Sequence, residues 1–214
     1  MHGDTRIDPY YWLNQRDNEE VLAYLHAEND YTTAVMKSTE ELQDKLFEEI
    51  KGRIKEQDES VPYFENGFYY YTRYDEGKEY PIYCRKAKSL DADEEVMLDV
   101  NELAKDFSYY SAVGINVSPN NKILSYGVDT VSRRQYTIYF KDLTTGELLD
   151  SKISNTTGGV AWANDNKTVF YTVKDEALRP YRIFRHSIDN KDTSNDELVY
   201  EENDETFNAF VYNS

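Results

Sequence analysis

The sequence predicts a mainly β protein: a partial β-propeller of about three four-stranded blades, preceded by two amphipathic α-helices. Three observations carry this. First, the chain repeats itself: VSPNNKILSYGVD from Val117 aligns without gaps on WANDNKTVFYTVK from Trp162, an offset of 45 residues. At that offset Asn121 falls on Asn166, Tyr126 on Tyr171, Val128 on Val173 and Ile138 on Ile183. Second, a looser copy lies upstream, where Asn66, Tyr71, Thr72 and Asp75 match Asn166, Tyr171, Thr172 and Asp175 at an offset of 100. Third, the apolar period changes from helical to alternating near Asp58 to Pro62. A β-sandwich also spaces short strands regularly, but nothing in it requires the turns to recur in register.

Taken in order, the chain opens with a helical arm, residues 1–58. Asp17 with Glu20, and Ser38 with Glu41, read as capping boxes. They precede Val21, Leu22, Leu25, Tyr31 and Val35 in one helix, and Leu42, Leu46, Phe47, Ile50 and Ile54 in the next. Both helices have an apolar face that needs a partner. The remainder, 59–214, reads as an incomplete propeller. Each copy holds a polar Asn/Asp/Lys turn between two aromatic and β-branched strands, a hairpin signature. Each is closed by a short segment of one type: EVMLD at Glu95, ELLD at Glu147 and ELVYE at Glu197. With the apolar approach to each first turn this gives four strands per unit. Blades are expected near 62–101, 107–154 and 158–202, and the start of a fourth at 206–214, with Phe207–Tyr212 as its first strand. Trp162, Val169, Tyr171, Ile183, Leu124, Tyr126 and Ile138 are the expected packing residues between strands and blades.

Composition bounds the function. Of 214 residues 39% are hydrophobic and 30% charged, which is globular and sufficient for a sizeable core. The 20 tyrosines suit half-buried strands better than a helical bundle. A net charge of −17 repels phosphate backbones and anionic lipid, so nucleic acid and membrane are excluded as partners and a basic ligand is attracted. Cys84 is the single cysteine, so no disulfide forms within the chain. Together with the lack of an apolar leader in MHGDTRIDPYYW, this predicts a cytoplasmic setting. The sequons at Asn116, Asn155 and Asn166 then mean only turn chemistry.

A search for chemistry yields no self-contained active site. Gly-x-Ser-x-Gly, His-Glu-x-x-His, Cys-x-x-Cys and phosphate-cradling glycine loops are all missing. His2, His26 and His186 are the histidines, and His26 reads as an ordinary helix residue. Asp91 to Glu95 has the oxygen chemistry of a calcium loop but has Val96 where such a loop needs glycine, and so reads as a solvated loop. No catalytic, cofactor-binding or metal-ligating residue is assigned, and no cofactor is expected.

The opening HGDTRIDPYYWLNQRDNEEVLAYLHAENDYT resembles the amino-terminal segment of the prolyl oligopeptidase family of serine peptidases. EGKEYPIYCRK, VSPNNKILSYGVDT, RRQYTIY, VAWANDNKTVFYT, LRPYRIFRH and LVYEENDETF bring it nearest to the oligopeptidase B (protease II) branch. The resemblance implies a seven-bladed propeller capping an α/β-hydrolase domain with a Ser-Asp-His triad, and cleavage of short peptides after Arg or Lys. None of that triad matches a position in these residues. The segment alone is therefore expected to be inactive, to stop partway through a propeller, and to lack its hydrolase partner. The acidic cap would gather basic oligopeptides. The helices would fold back on the blades or drive self-association. The competing reading is a non-catalytic propeller that binds a partner.

Overall fold

The computed structural model describes Gly3 and residues 5–213, so His2 lies outside the described residues. The chain forms two compact units, Met1–Lys55 and Glu56–Ser214.

In the first unit a 3-10 turn at Tyr11–Asn14 leads into α1 (Glu19–Met36), and α2 (Glu40–Lys51) follows a second such turn at Lys37–Thr39. The N-cap of α1 is Asn18, not Asp17. Asn18 is extended and its side chain accepts from the Glu20 N–H at 2.9 Å, while its carbonyl takes the first helical bond from Leu22. The expected Ser38–Glu41 box does not form. Ser38 sits inside the 3-10 turn, and the adjoining Thr39 turns its hydroxyl back to the Met36 carbonyl at 2.6 Å. The chain coils almost without interruption there, so the amides opening α2 need no side-chain oxygen. Trp12 meets Tyr24 edge-on at 5.7 Å, and Val21 is buried. Leu42, Leu46, Phe47, Ile50 and Ile54 are exposed.

The second unit is mainly β and antiparallel throughout. Its first four-stranded array has an interrupted edge strand, β1 (Asp58–Glu59) and β2 (Tyr63–Glu65), both paired with β3 (Phe68–Tyr74). Pro62, which has no N–H to give, falls in the interruption. β4 (Ile82–Ala87) and β5 (Glu94–Asp99) complete it. The second array comprises β6 (Ser111–Val117), β7 (Ile123–Asp129), β8 (Tyr136–Asp142) and the start of β9 (Leu148–Trp162). The third takes the end of β9, then β10 (Thr168–Lys174), β11 (Pro180–Ser187) and β12 (Glu197–Glu201).

Three features differ from the sequence reading. β9 is one strand of 15 residues, with no break between Ser154 and Gly158. Thr156 faces both Tyr136 on one side and Val173 on the other, and Gly158 at φ 97° bends the strand from one array into the next. A short helix, α3 (Val100–Ala104), follows β5, with Asp99 accepting from the Asn101 N–H at 2.9 Å and Val100 and Ala104 buried. Phe207–Tyr212 has no ladder among the described residues. It is held instead by the Ala209 N–H to the Pro180 carbonyl at 2.9 Å, and strand pairing is what defines a strand.

The core lies between neighbouring arrays. Tyr70, Met97, Leu98, Val100, Tyr110, Leu124 and Tyr126 fill the first seam; Ile138, Phe140, Ile153, Trp162, Val169 and Tyr171 fill the second. All the expected packing residues are buried except Ile183, which is half-buried. At the second seam the backbones touch: a Cβ at Gly127 would stand 2.4 Å from the Gly158 carbonyl oxygen. Only glycine permits that approach.

Candidate functional site

The repeated turns converge at one end of the strands. Asn66, Asn121 and Asn166 occupy the same repeat position, and all three adopt left-handed backbone, at φ 45°, 62° and 62°. Asparagine tolerates this region better than other side-chain-bearing residues. Its amide then links one array to the next. Asn121 Nδ2 donates to the Asn66 carbonyl at 2.9 Å, and Asn166 Oδ1 accepts from the Asn120 N–H at 2.7 Å. Arg85, almost wholly buried, holds Glu95 through two bonds of 2.8 and 2.7 Å, and its remaining Nη1 donates to the Asn121 carbonyl at 2.8 Å.

Beside Asn121, between the first and second arrays, opens a cleft of about 300 Å³. Tyr63 and Glu65 both line it, as the period of two along β2 requires. Tyr63 pairs across the strands with Tyr70, and their rings stack at 5.6 Å. The Tyr70 hydroxyl donates to Asn121 Oδ1 at 3.0 Å. Burial raises the Tyr63 hydroxyl above its ordinary pKa, and the Glu65 charge adds to that. Burial likewise raises Tyr70, against the opposing influence of Arg85. Met97, Ile115 and Val117 supply an apolar wall.

A second constellation has the residue types of a hydrolytic triad. Ser151 Oγ lies 2.8 Å from His186 Nε2, and His186 Nδ1 lies 2.7 Å from Asp196 Oδ1. Tyr171 donates to the other Asp196 oxygen at 2.8 Å. Its geometry is that of a clasp, not a catalyst. Ser151 is 2% and His186 1% exposed, and the Phe140 ring stacks on the imidazole at 6.3 Å. A reacting carbonyl must come within about 3 Å of the nucleophile, and nothing can reach this one. The first array repeats the outer half of the arrangement, with Tyr71 donating to Glu94 at 2.6 Å where Tyr171 donates to Asp196.

The residues singled out in sequence are accounted for locally. Cys84 is fully buried, and burial pushes its thiol up to about 12. His26 is exposed on α1. Within Asp91–Glu95 the two glutamates are in or at β5 and engaged, Glu94 by Arg73 and Tyr71 and Glu95 by Arg85. Asn116 donates to the Val160 carbonyl at 3.0 Å, joining the second array to the third. Sequence reasoning missed the cleft residues Tyr63, Glu65 and Asn121 as a group. Its available signal was the alternation of Tyr63 and Glu65 immediately before the Asn66–Gly67 turn.

A family model described as prolyl oligopeptidase, N-terminal beta-propeller domain, matches residues 1–214. Dipeptidyl aminopeptidase BI of Pseudoxanthomonas mexicana is 44% identical, over 96% of this chain and 31% of that protein. Protease 2 of Moraxella lacunata is 40% identical, over 100% of this chain and 32% of its own length. The chain thus spans about a third of these relatives. Among solved structures, oligopeptidase B from Leishmania major superposes with a TM-score of 0.85 at 33% identity, over 96% of this chain and 29% of that one.

Proposed function

This chain belongs to the prolyl oligopeptidase family, as its N-terminal β-propeller segment, and from that premise we propose that it forms the access-controlling cap of an oligopeptidase B-like serine peptidase cleaving short peptides after Arg or Lys. The observation that carries the reading is the family match along the whole chain, joined to likeness to Protease 2 and to oligopeptidase B. No Gly-x-Ser-x-Gly occurs in these residues, so the nucleophile is supplied by an α/β-hydrolase domain outside them. The exposed apolar residues of α2 are suited to meet that domain. In its absence they are the surface through which the segment self-associates.

A cap of this kind acts on access and not on bonds. A narrow passage excludes folded proteins, and a charge of −17 raises the local concentration of basic peptides. The buried thiol of Cys84 accords with a cytoplasmic protein.

The 44% identity to a protein named dipeptidyl aminopeptidase supports a second reading, release of dipeptides from free amino termini. The two separate cleanly. An N-acylated peptide with Arg or Lys before the scissile bond is cut by an oligopeptidase B-like enzyme and refused by an aminopeptidase that needs a free amine. The test is hydrolysis of acylated and unacylated Arg, Lys and Pro peptides by the full-length protein.

A further inference from the structure

We propose that the cleft between the first and second arrays binds a cationic side chain, lysine or arginine, of an oligopeptide, with Glu65 as its counter-charge and the Tyr63–Tyr70 ring pair along its stem. This rests on the reading that the substrates are basic oligopeptides, and it adds the place where one basic residue away from the scissile bond is held.

The inference follows from which groups in the cleft are already committed. The Asn121 amide is used by Asn66, the Tyr70 hydroxyl by Asn121, and the Asn116 amide by Val160. The nearby Arg85 is held by Glu95 and Asn121. Glu65 is different. Its carboxylate lines the cleft and makes no hydrogen bond or ion pair among the described residues, whereas Glu94, Glu95, Glu197 and Glu201 each have an arginine. The charge of Glu65 is felt by both tyrosines. A neutral donor would hydrogen-bond this carboxylate without neutralising it, a cation does both, and an anion would be repelled by it.

The shape agrees with the charge. About 300 Å³ is the lower end of the range for ligand sites, enough for an extended side chain and too small for a folded element. Lysine and arginine lay an apolar stem on hydrophobic surface while the head seeks a carboxylate, and a cation near tyrosine rings gains from their negative faces.

The test uses the full-length protein and a fluorescent tetramer of D-lysine, which is not cleaved, so its binding is read by anisotropy whatever the peptidase activity. Glu65→Gln is expected to weaken binding about fivefold and to lower its salt dependence. Tyr63→Ala should weaken it as well. Glu147→Gln makes the same change in net charge on the exposed β8–β9 turn and should leave binding unaltered. Equal affinity of the Glu65→Gln and unmutated proteins, or equal weakening by Glu147→Gln, overturns the proposal. If Glu65→Gln weakens tetramer binding but Arg and Lys peptides are not hydrolysed, the site stands and the peptidase reading fails.

Discussion

Asn121 donates its side-chain amide to the Asn66 carbonyl at 2.9 Å, and so the turn of the second array grips the turn of the first. The same residue accepts from the Tyr70 hydroxyl and from Arg85. It also holds a left-handed backbone at φ 62°.

Substitution separates these roles. Asn121→Gly keeps the backbone conformation and loses two side-chain hydrogen bonds, an expected cost of about 1–3 kcal/mol. Asn121→Ala loses the same bonds and in addition forces a Cβ into the left-handed region, about 1 kcal/mol more. Urea unfolding measures both. Glycine proving the more damaging of the two would contradict this account of the turn.

Ser151, His186 and Asp196 act as a clasp between the second and third arrays, so their loss should appear in stability and not in catalysis. His186→Ala removes the partner that the buried Ser151 and Asp196 share, leaving Asp196 only the Tyr171 hydroxyl, and should cost about 3 kcal/mol; Ser151→Ala should cost about 1 kcal/mol. Labelling of the full-length protein by a serine-directed phosphonate should be unchanged in Ser151→Ala. Loss of labelling in that variant would mean that the buried serine is reached after all.

Gly127 and Gly146 test the seam. A methyl group at Gly127 meets the Gly158 backbone, which cannot yield like a flexible side chain, whereas at Gly146 it meets nothing within 4 Å. Gly127→Ala should cost upwards of about 3 kcal/mol, as strain in a packed core does. Gly146→Ala, at φ 80°, should cost about 1 kcal/mol from backbone conformation alone. Similar losses at both positions would show that the seam is loose.

Much of this was legible in the residues. The repeat placed Asn66, Asn121 and Asn166 in equivalent turns, and the alternation around Leu124, Tyr126 and Ile138 marked strands whose burial the structure bears out. Other features depend on contacts that linear spacing does not express. The expected gap between blades, from Ser154 to Gly158, is instead part of a continuous strand, because both sides of β9 find partners. Asp99 ends β5, as it reads in the sequence, and caps a helix as well. The Ser151–His186 contact joins residues 35 positions apart on two arrays, without any motif to announce it. Glu65 lines the cleft and has no basic partner among the described residues, which only the fold can show.

Acid should loosen the second array through Asp129. Burial works to raise its pKa, but the main-chain N–H groups of Val131, Arg134 and Arg133, at 2.8, 2.7 and 2.9 Å, outweigh it and hold the carboxyl below its ordinary value. Asp165 is lowered to about 2 by the Thr168 hydroxyl and neighbouring main-chain amides. Because the folded values are depressed, this stability is fully present above the unfolded pKa of about 4 and is lost as pH falls through the folded ones. The urea midpoint should therefore drop between about pH 4 and pH 2, with a shallower slope in Asp129→Asn. An unchanged slope would remove Asp129 from the explanation.

The most direct test of the central claim is kcat/KM of the full-length protein for N-acylated peptides differing only in the residue before the scissile bond. The expected result is cleavage after Arg and Lys, at least a hundredfold above Pro or a neutral residue (about 2.7 kcal/mol of discrimination) and abolished by a serine-directed reagent. Cleavage confined to Pro, or to unacylated peptides releasing dipeptides, would contradict it.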